Sequence, residues 1–191
     1  TIAALVNLAE AHEQTGNLAA ALEMKTDCWE RLKALRGAEH ADALMAQANL
    51  ANCHWLMGRF DLALPMLEEV WATRRRVLGP EHFDTLTSHS NLAVVCADVG
   101  QTERAIELGR EVVRLLEASV GAHHPDSLMA RNNLGVAMRD AGQASDGLAV
   151  LQPAFDTARQ RLGAEHPTTL KMMGNLGMMK WLAGQKAEGE A

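Results

Sequence analysis

Apolar residues recur along the chain at the spacing of an amphipathic helix, and polar or glycine-containing breaks separate these stretches. Within residues 84-99, small and apolar residues follow one another every three or four positions, at Leu86, Ser90, Ala93 and Ala97. This is the spacing of one helix face. Further apolar residues widen the face, so the pattern predicts a helix with neighbours on two sides.

Each helix predicted in this way is followed by a second one. Gly100-Gln101 breaks the pattern, and Thr102 with Glu103 is typical of a new helix N-terminus. The short link makes the two helices antiparallel. The pattern predicts first helices at 2-15, 42-57, 84-99, 126-141 and 168-183, second helices at 18-36, 60-78, 102-120 and 144-162, and the start of a tenth helix at 185-191.

The hairpin recurs every 42 residues. The motif G-x-x-H starts at Gly37, Gly79, Gly121 and Gly163. Such strict spacing indicates one supersecondary unit copied end to end. Since the chain starts at Thr1 and stops at Ala191 in mid-pattern, we expect a fragment of a larger protein. We predict a single solenoid over 1-191 with repeats at 1-36 (partial), 37-78, 79-120, 121-162 and 163-191 (partial).

Composition and charge indicate a helical fold and disfavour a nucleic-acid-binding protein. The chain is 48% hydrophobic but only 4% aromatic, which favours helix packing over a sheet core. Its net charge of −6 disfavours nucleic acid as a partner. The one basic run, Arg74-Arg75-Arg76, falls in the last turn of a predicted helix, where cations offset the helix dipole.

The sequence also bears on the cellular compartment. No apolar run approaches the roughly 20 residues that span a membrane, and no signal peptide opens the chain. The three cysteines, Cys28, Cys53 and Cys96, form no C-x-x-C pair, which favours a reducing compartment. We therefore expect a cytoplasmic protein with no membrane partner.

The repeat resembles the tetratricopeptide repeat. Asn91-Leu92-Ala93, Gly100 and Ala105 match its pattern, and the period of 42 residues with the connector Gly163-Ala164-Glu165-His166-Pro167 is similar to the kinesin-light-chain type. The resemblance implies an all-α, right-handed α-α superhelix of stacked antiparallel helix hairpins. Gly147 and Gly189 replace the small alanine of the second helices, so we expect looser packing in the last two repeats.

The resemblance also implies a concave groove lined by the first helices. Asn7, Asn49, Asn91, Asn133 and Asn175 would form a ladder of amides there, able to donate to and accept from the backbone of an extended peptide. Alternatively, each Asn bonds a neighbouring helix and only holds the repeat geometry. The residues expected in the groove are Asn7, Met45, Asn49, Asn52, Trp55, Ser90, Asn91, Val94, Asn132, Asn133, Val136, Arg139, Lys171 and Asn175.

Charge in this groove excludes one kind of ligand. Arg139 and Lys171 are too few for the carboxylate clamp with which some proteins of the family hold chaperone tails. Glu10 and Glu13 instead favour a ligand with basic residues toward the first repeats and apolar anchors.

The histidines and cysteines give no catalytic or metal-binding pattern. His40, His82, His124 and His166 recur once per repeat, too far apart to share an ion, which indicates a structural role in the turn. The sequence contains no G-x-S-x-G, H-E-x-x-H, G-x-G-x-x-G or Walker loop. We therefore expect neither enzymatic activity, nor a metal, nor a cofactor.

Two functions follow from these expectations. The leading one is a protein-protein interaction module that binds an extended peptide or a partner helix in its groove. The alternative is an assembly or sensor segment that stacks on itself or on an adjacent effector domain of a multidomain regulatory protein. Self-association through the uncapped C-terminal repeat belongs to this alternative, because Leu176, Met178, Met179, Trp181 and Leu182 do not supply a polar cap.

Overall fold

The computed structural model describes residues 1–184, which form nine α-helices and no strand. The first helices of the hairpins are α1 (Ile2–Gln14), α3 (Ala41–Leu56), α5 (Phe83–Asp98), α7 (Pro125–Asp140) and α9 (Pro167–Leu182). The second helices are α2 (Leu18–Arg36), α4 (Phe60–Leu78), α6 (Thr102–Val120) and α8 (Ala144–Leu162). The helix expected at 185-191 lies outside the described residues.

Four of the first helices begin one residue earlier than the apolar pattern predicts, because a histidine caps each of them. The backbone N–H of Asp42 donates to Nδ1 of His40 at 3.2 Å, so α3 begins at the residue after the histidine. The same bond joins Asp84 to His82 at 3.2 Å. His124 and His166 cap α7 and α9 in the same way. The expected structural role of these four histidines in the turn is confirmed.

Glycine ends each second helix. Gly37, Gly79, Gly121 and Gly163 have φ values between 92° and 95°. Residues with a side chain rarely adopt this backbone conformation, so glycine is required there. The connector therefore consists of a glycine that stops one helix and a histidine that starts the next.

Backbone packing divides the chain into two compact units, Thr1–Val95 and Cys96–Ala191. In the first unit, Leu50, Leu67 and Val70 are buried between the helices. Trp29 packs against a small cluster of Leu32, Ala43 and Ala46.

The basic run has three separate roles within the first unit. Arg74 is buried and donates to the backbone carbonyl of Asp84 and to Ser88 Oγ, at 3.1 Å and 2.7 Å. Arg75 lies over the Trp71 ring at 5.3 Å. Arg76 pairs with Glu39 at 2.5 Å.

In the second unit, the core of α7, α8 and α9 contains Leu128, Leu151, Met172 and Met179, each fully buried. The expectation of loose packing at Gly147 is wrong. A Cβ built there would lie 2.8 Å from the Gly135 carbonyl oxygen and 3.2 Å from Met179 Sδ. Glycine permits a closer approach of the helices at this point, and Met179 fills the remaining space. Gly189 lies outside the described residues.

Candidate functional site

The first unit contains a cavity of about 140 Å³ at the junction of α1, α2 and α3. Five of the nine residues that line it are polar or charged. Two of these, Asn49 and Asn52, are among the residues expected in the groove. The other three are Glu10 and Glu13 on α1 and Lys25 on α2.

An ion pair with a buried lysine lies in this cavity. Lys25, only 8% exposed, forms a salt bridge with Glu13. The Asn52 amide adds a bond, with Nδ2 donating to Glu13 Oε1 at 3.4 Å. Because Lys25 balances Glu13, the groove is less acidic than its first helices alone indicate.

Lys25 is not among the residues expected in the groove, because those residues all lie on first helices. A signal was present in the repeat register. One and three repeats later, the equivalent positions are Leu67 and Leu151, both buried. A lysine at a position where other repeats bury leucine needs a charged partner, and α1 supplies one.

A second cavity of about 90 Å³ lies one repeat further along, between α3, α4 and α5. Asn52 borders this cavity as well, and Leu67 and Val95 supply apolar walls. The structure thus brings four of the expected groove residues together around one cavity, namely Asn52, Trp55, Asn91 and Val94.

The other expected residues of the first unit do not border this second cavity. They are Asn7, Met45, Asn49 and Ser90, which lie on α1, α3 and α5. Met45 on α3 is 54% exposed. Asn7 on α1, Asn49 on α3 and Asn91 on α5 are exposed, whereas Ser90 on α5 is half-buried. The three asparagines of the ladder that lie in the first unit therefore all have accessible amides.

In the second unit, the asparagines bond to one another. Asn132 is buried, with 1% exposure. Its Oδ1 accepts from Asn175 Nδ2 at 2.9 Å, and its Nδ2 donates to Asn133 Oδ1 at 3.2 Å. The first of these bonds ties α7 to α9, which is the structural alternative for the ladder. Asn132 is therefore not accessible to a peptide.

The other three expected residues of the second unit have different environments. Val136 packs against the core of α7, α8 and α9. Arg139 forms an ion pair with its neighbour Asp140 at 2.7 Å, and Lys171 is exposed.

The chemistry of the described residues favours binding over catalysis. Burial raises the pKa of the Cys28 and Cys53 thiols, so neither is a ready nucleophile. Burial, with Arg59 nearby, lowers the pKa of His54. Within residues 1–184, no three His, Cys, Asp or Glu side chains are grouped as they would be to hold a metal ion. No helix in this range is long and apolar enough to cross a membrane.

Known protein structures share this arrangement of hairpins. A crystal structure of nearly identical kinesin-light-chain TPR-like repeats from Podosopora anserina is 26% identical, with a TM-score of 0.85 over 99% of this chain and 89% of that one. BtubC (BKLC) from P. vanneervenii has a TM-score of 0.81 at 20% identity, over 97% and 74% of the two chains. A Rap protein complexed with competence and sporulation factor has a TM-score of 0.79 at 10% identity, over 97% and 50%.

Sequence comparison identifies the repeat itself. Models described as tetratricopeptide repeat match residues 1–74, 45–118, 84–146 and 127–168, whereas no curated protein matches the chain significantly. The predicted all-α repeat fold is confirmed. Proteins of this type are generally protein-protein interaction modules and typically non-enzymatic. The chain belongs to the tetratricopeptide repeat family.

Proposed function

We propose that the first helices of the Thr1–Val95 unit bind an extended peptide of a protein partner. The observation that carries this proposal is the pair of neighbouring cavities that share Asn52. Asn49 borders one cavity and Asn91 the other, and both are exposed. Their amides can each donate to and accept from a peptide backbone while side chains of the peptide enter the cavities.

Cavity size favours a peptide over a small-molecule ligand. Pockets for drug-sized ligands and cofactors enclose about 300–1,000 Å³. The two cavities enclose about 140 and 90 Å³, so each has room for part of one side chain rather than a whole cofactor. Two small cavities with amides at their rims suit an extended peptide that crosses several helices.

Two solved structures with the same fold support peptide binding as a function. The Rap protein is complexed with competence and sporulation factor, and a second Rap protein is in complex with the Phr* peptide, with a TM-score of 0.78. At 10% and 11% identity these proteins share only the fold with this chain. The assignment of the surface therefore rests on the residues of the two cavities.

The test is a display library of random octapeptides panned against the chain. We expect it to yield peptides that bind and whose affinity falls about tenfold or more in Asn49→Ala/Asn91→Ala. The reason is that each lost backbone bond costs about 0.5–1.5 kcal/mol, and 1.4 kcal/mol corresponds to a factor of ten. Fluorescence anisotropy of the labelled peptides gives the affinities, and thermal unfolding verifies that the variant folds.

Gln160→Ala provides the matched control, since it removes an exposed amide from a second helix. It should leave affinity unchanged. Failure of the library to yield any binding peptide would contradict the proposal, and so would peptides that bind the double variant as well as they bind the natural chain.

One observation favours the alternative function of assembly through the C-terminal repeat. Helix α9 exposes five large apolar side chains, each by about half of its surface. Self-association of the chain in sedimentation that is lost with Met178→Lys would favour this alternative. The exposed residues are Leu170, Met173, Met178, Trp181 and Leu182.

A further inference from the structure

We propose that the cavity between α1, α2 and α3 selects a basic side chain of the peptide, and that the neighbouring cavity takes an apolar one. This inference rests on the proposed function, because it names the class of peptide that the same surface binds. It follows from three features of the first unit, namely the charges at the cavity, the orientation of one amide and the contrast between the two cavities.

Charge at the first cavity is negative once its ion pair is taken into account. Lys25 and Glu13 form a salt bridge, so their charges cancel. Glu10 also lines the cavity, is exposed, and forms no ion pair among the described residues. One carboxylate thus remains for a ligand, and a cationic side chain is its complement.

The orientation of Asn52 supports the same sign of charge. A carboxylate only accepts hydrogen bonds, so the bond to Glu13 requires the Asn52 NH₂ group to face Glu13. The Asn52 Oδ1 is the acceptor left for a ligand. An ammonium or guanidinium group entering the cavity can therefore donate to both Glu10 and Asn52.

An acidic side chain would find a less favourable environment. Lys25 is the one cation among the residues that line the cavity, and Glu13 already holds it. An incoming carboxylate would have to displace Glu13 from Lys25 while lying close to Glu10. Like charges brought together at an interface are unfavourable, so the cavity discriminates against acidic peptides.

The second cavity has a different character. Trp55, Leu67, Val94 and Val95 make its walls apolar, and no charged residue lines it. The two cavities share Asn52, and an extended chain advances roughly 3.3 Å per residue. A peptide that fills both cavities would then carry its basic and apolar residues a few positions apart.

A positional-scanning library of acetylated, amidated octapeptides tests this selection. We expect enrichment of Lys and Arg at one position and of Leu, Met or Phe a few positions away. Glu10→Gln should lower the preference for Lys and Arg over Gln about two- to fivefold, the range of an exposed ion pair, and leave the apolar preference intact. Glu107→Gln, which neutralises an exposed carboxylate on α6, is the matched control and should change neither preference.

Glu13→Gln gives a second test in the opposite direction. It removes the partner of Lys25, so peptides with Asp or Glu at the same position should gain affinity relative to those with Lys or Arg. This change leaves the buried Lys25 unpaired and so destabilises the protein. If Glu13→Gln does not fold, Glu10→Gln is the deciding variant.

The outcomes separate this inference from the proposed function. Peptides that depend on Asn49 and Asn91 but show an acidic or neutral preference would overturn the inference alone, as would an unchanged basic preference in Glu10→Gln. A library without binding peptides would overturn the proposed function itself.

Discussion

Gly147 shows how a single missing side chain sets the distance between two helices. Its backbone lies against that of Gly135, and Met179 covers both glycines. In the first two repeats the same position holds Ala21 and Ala63, which are also fully buried. The methyl group that those repeats accommodate would overlap the Gly135 carbonyl in the fourth.

Gly147→Ala should therefore destabilise the protein. We expect a loss of about 1–3 kcal/mol in the free energy of unfolding, typical of overpacking, measured by urea denaturation. Gly174→Ala is the matched control, because a Cβ there meets nothing within 4 Å. Since alanine favours the helix over glycine by up to about 1 kcal/mol, Gly174→Ala should stabilise. Equal effects of the two changes would contradict this description of the packing.

Individual site residues were predictable from the sequence to different degrees. The repeat register places Asn52, Trp55 and Asn91 on first helices, and these residues do border one cavity. The register does not show which amides have internal partners. Asn132 bonds Asn175 and is buried, and Lys25 enters its cavity from a second helix, because both features depend on how neighbouring hairpins pack.

At the scale of the helix, the second helices are easier to predict than the first. Turn glycines bound them at both ends, and the predicted limits 18-36, 60-78, 102-120 and 144-162 agree with the structure. The starts of four first helices are displaced by one residue because histidine is an uncommon cap. Its Nδ1 accepts a backbone N–H as the side-chain oxygen of Ser or Asp does.

The cap predicts the effect of changing a histidine. His82→Ala should lower the free energy of unfolding by about 1 kcal/mol, because it leaves the N–H of Asp84 without its acceptor. His82→Asn should retain most of the stability, since asparagine is a favoured cap. Thermal unfolding of the two variants measures the difference.

His123→Ala serves as the control for the cap. His123 is exposed and precedes the capping residue His124, so its removal should have little effect. If His82→Asn were as unstable as His82→Ala, the capping role would be contradicted.

Across the whole molecule, the asparagines of the repeat have two different environments. The Thr1–Val95 unit has exposed asparagines next to two cavities. From Cys96 onward, the described asparagines of α7 and α9 bond to each other. Identical register along the sequence therefore does not give identical surfaces. The net charge of −6 adds a general attraction for basic partners, which salt weakens.

If a peptide occupies the cavity beside Trp55, the ¹⁵N-indole resonances of the four tryptophans will show it. During titration with a peptide from the octapeptide library, the Trp55 Nε1–H signal should shift to saturation at the affinity found by anisotropy. Trp29 and Trp71, which pack inside the first unit, should remain unchanged. A Trp55 signal that stays fixed while Trp181 on α9 shifts would contradict binding of the peptide at this cavity.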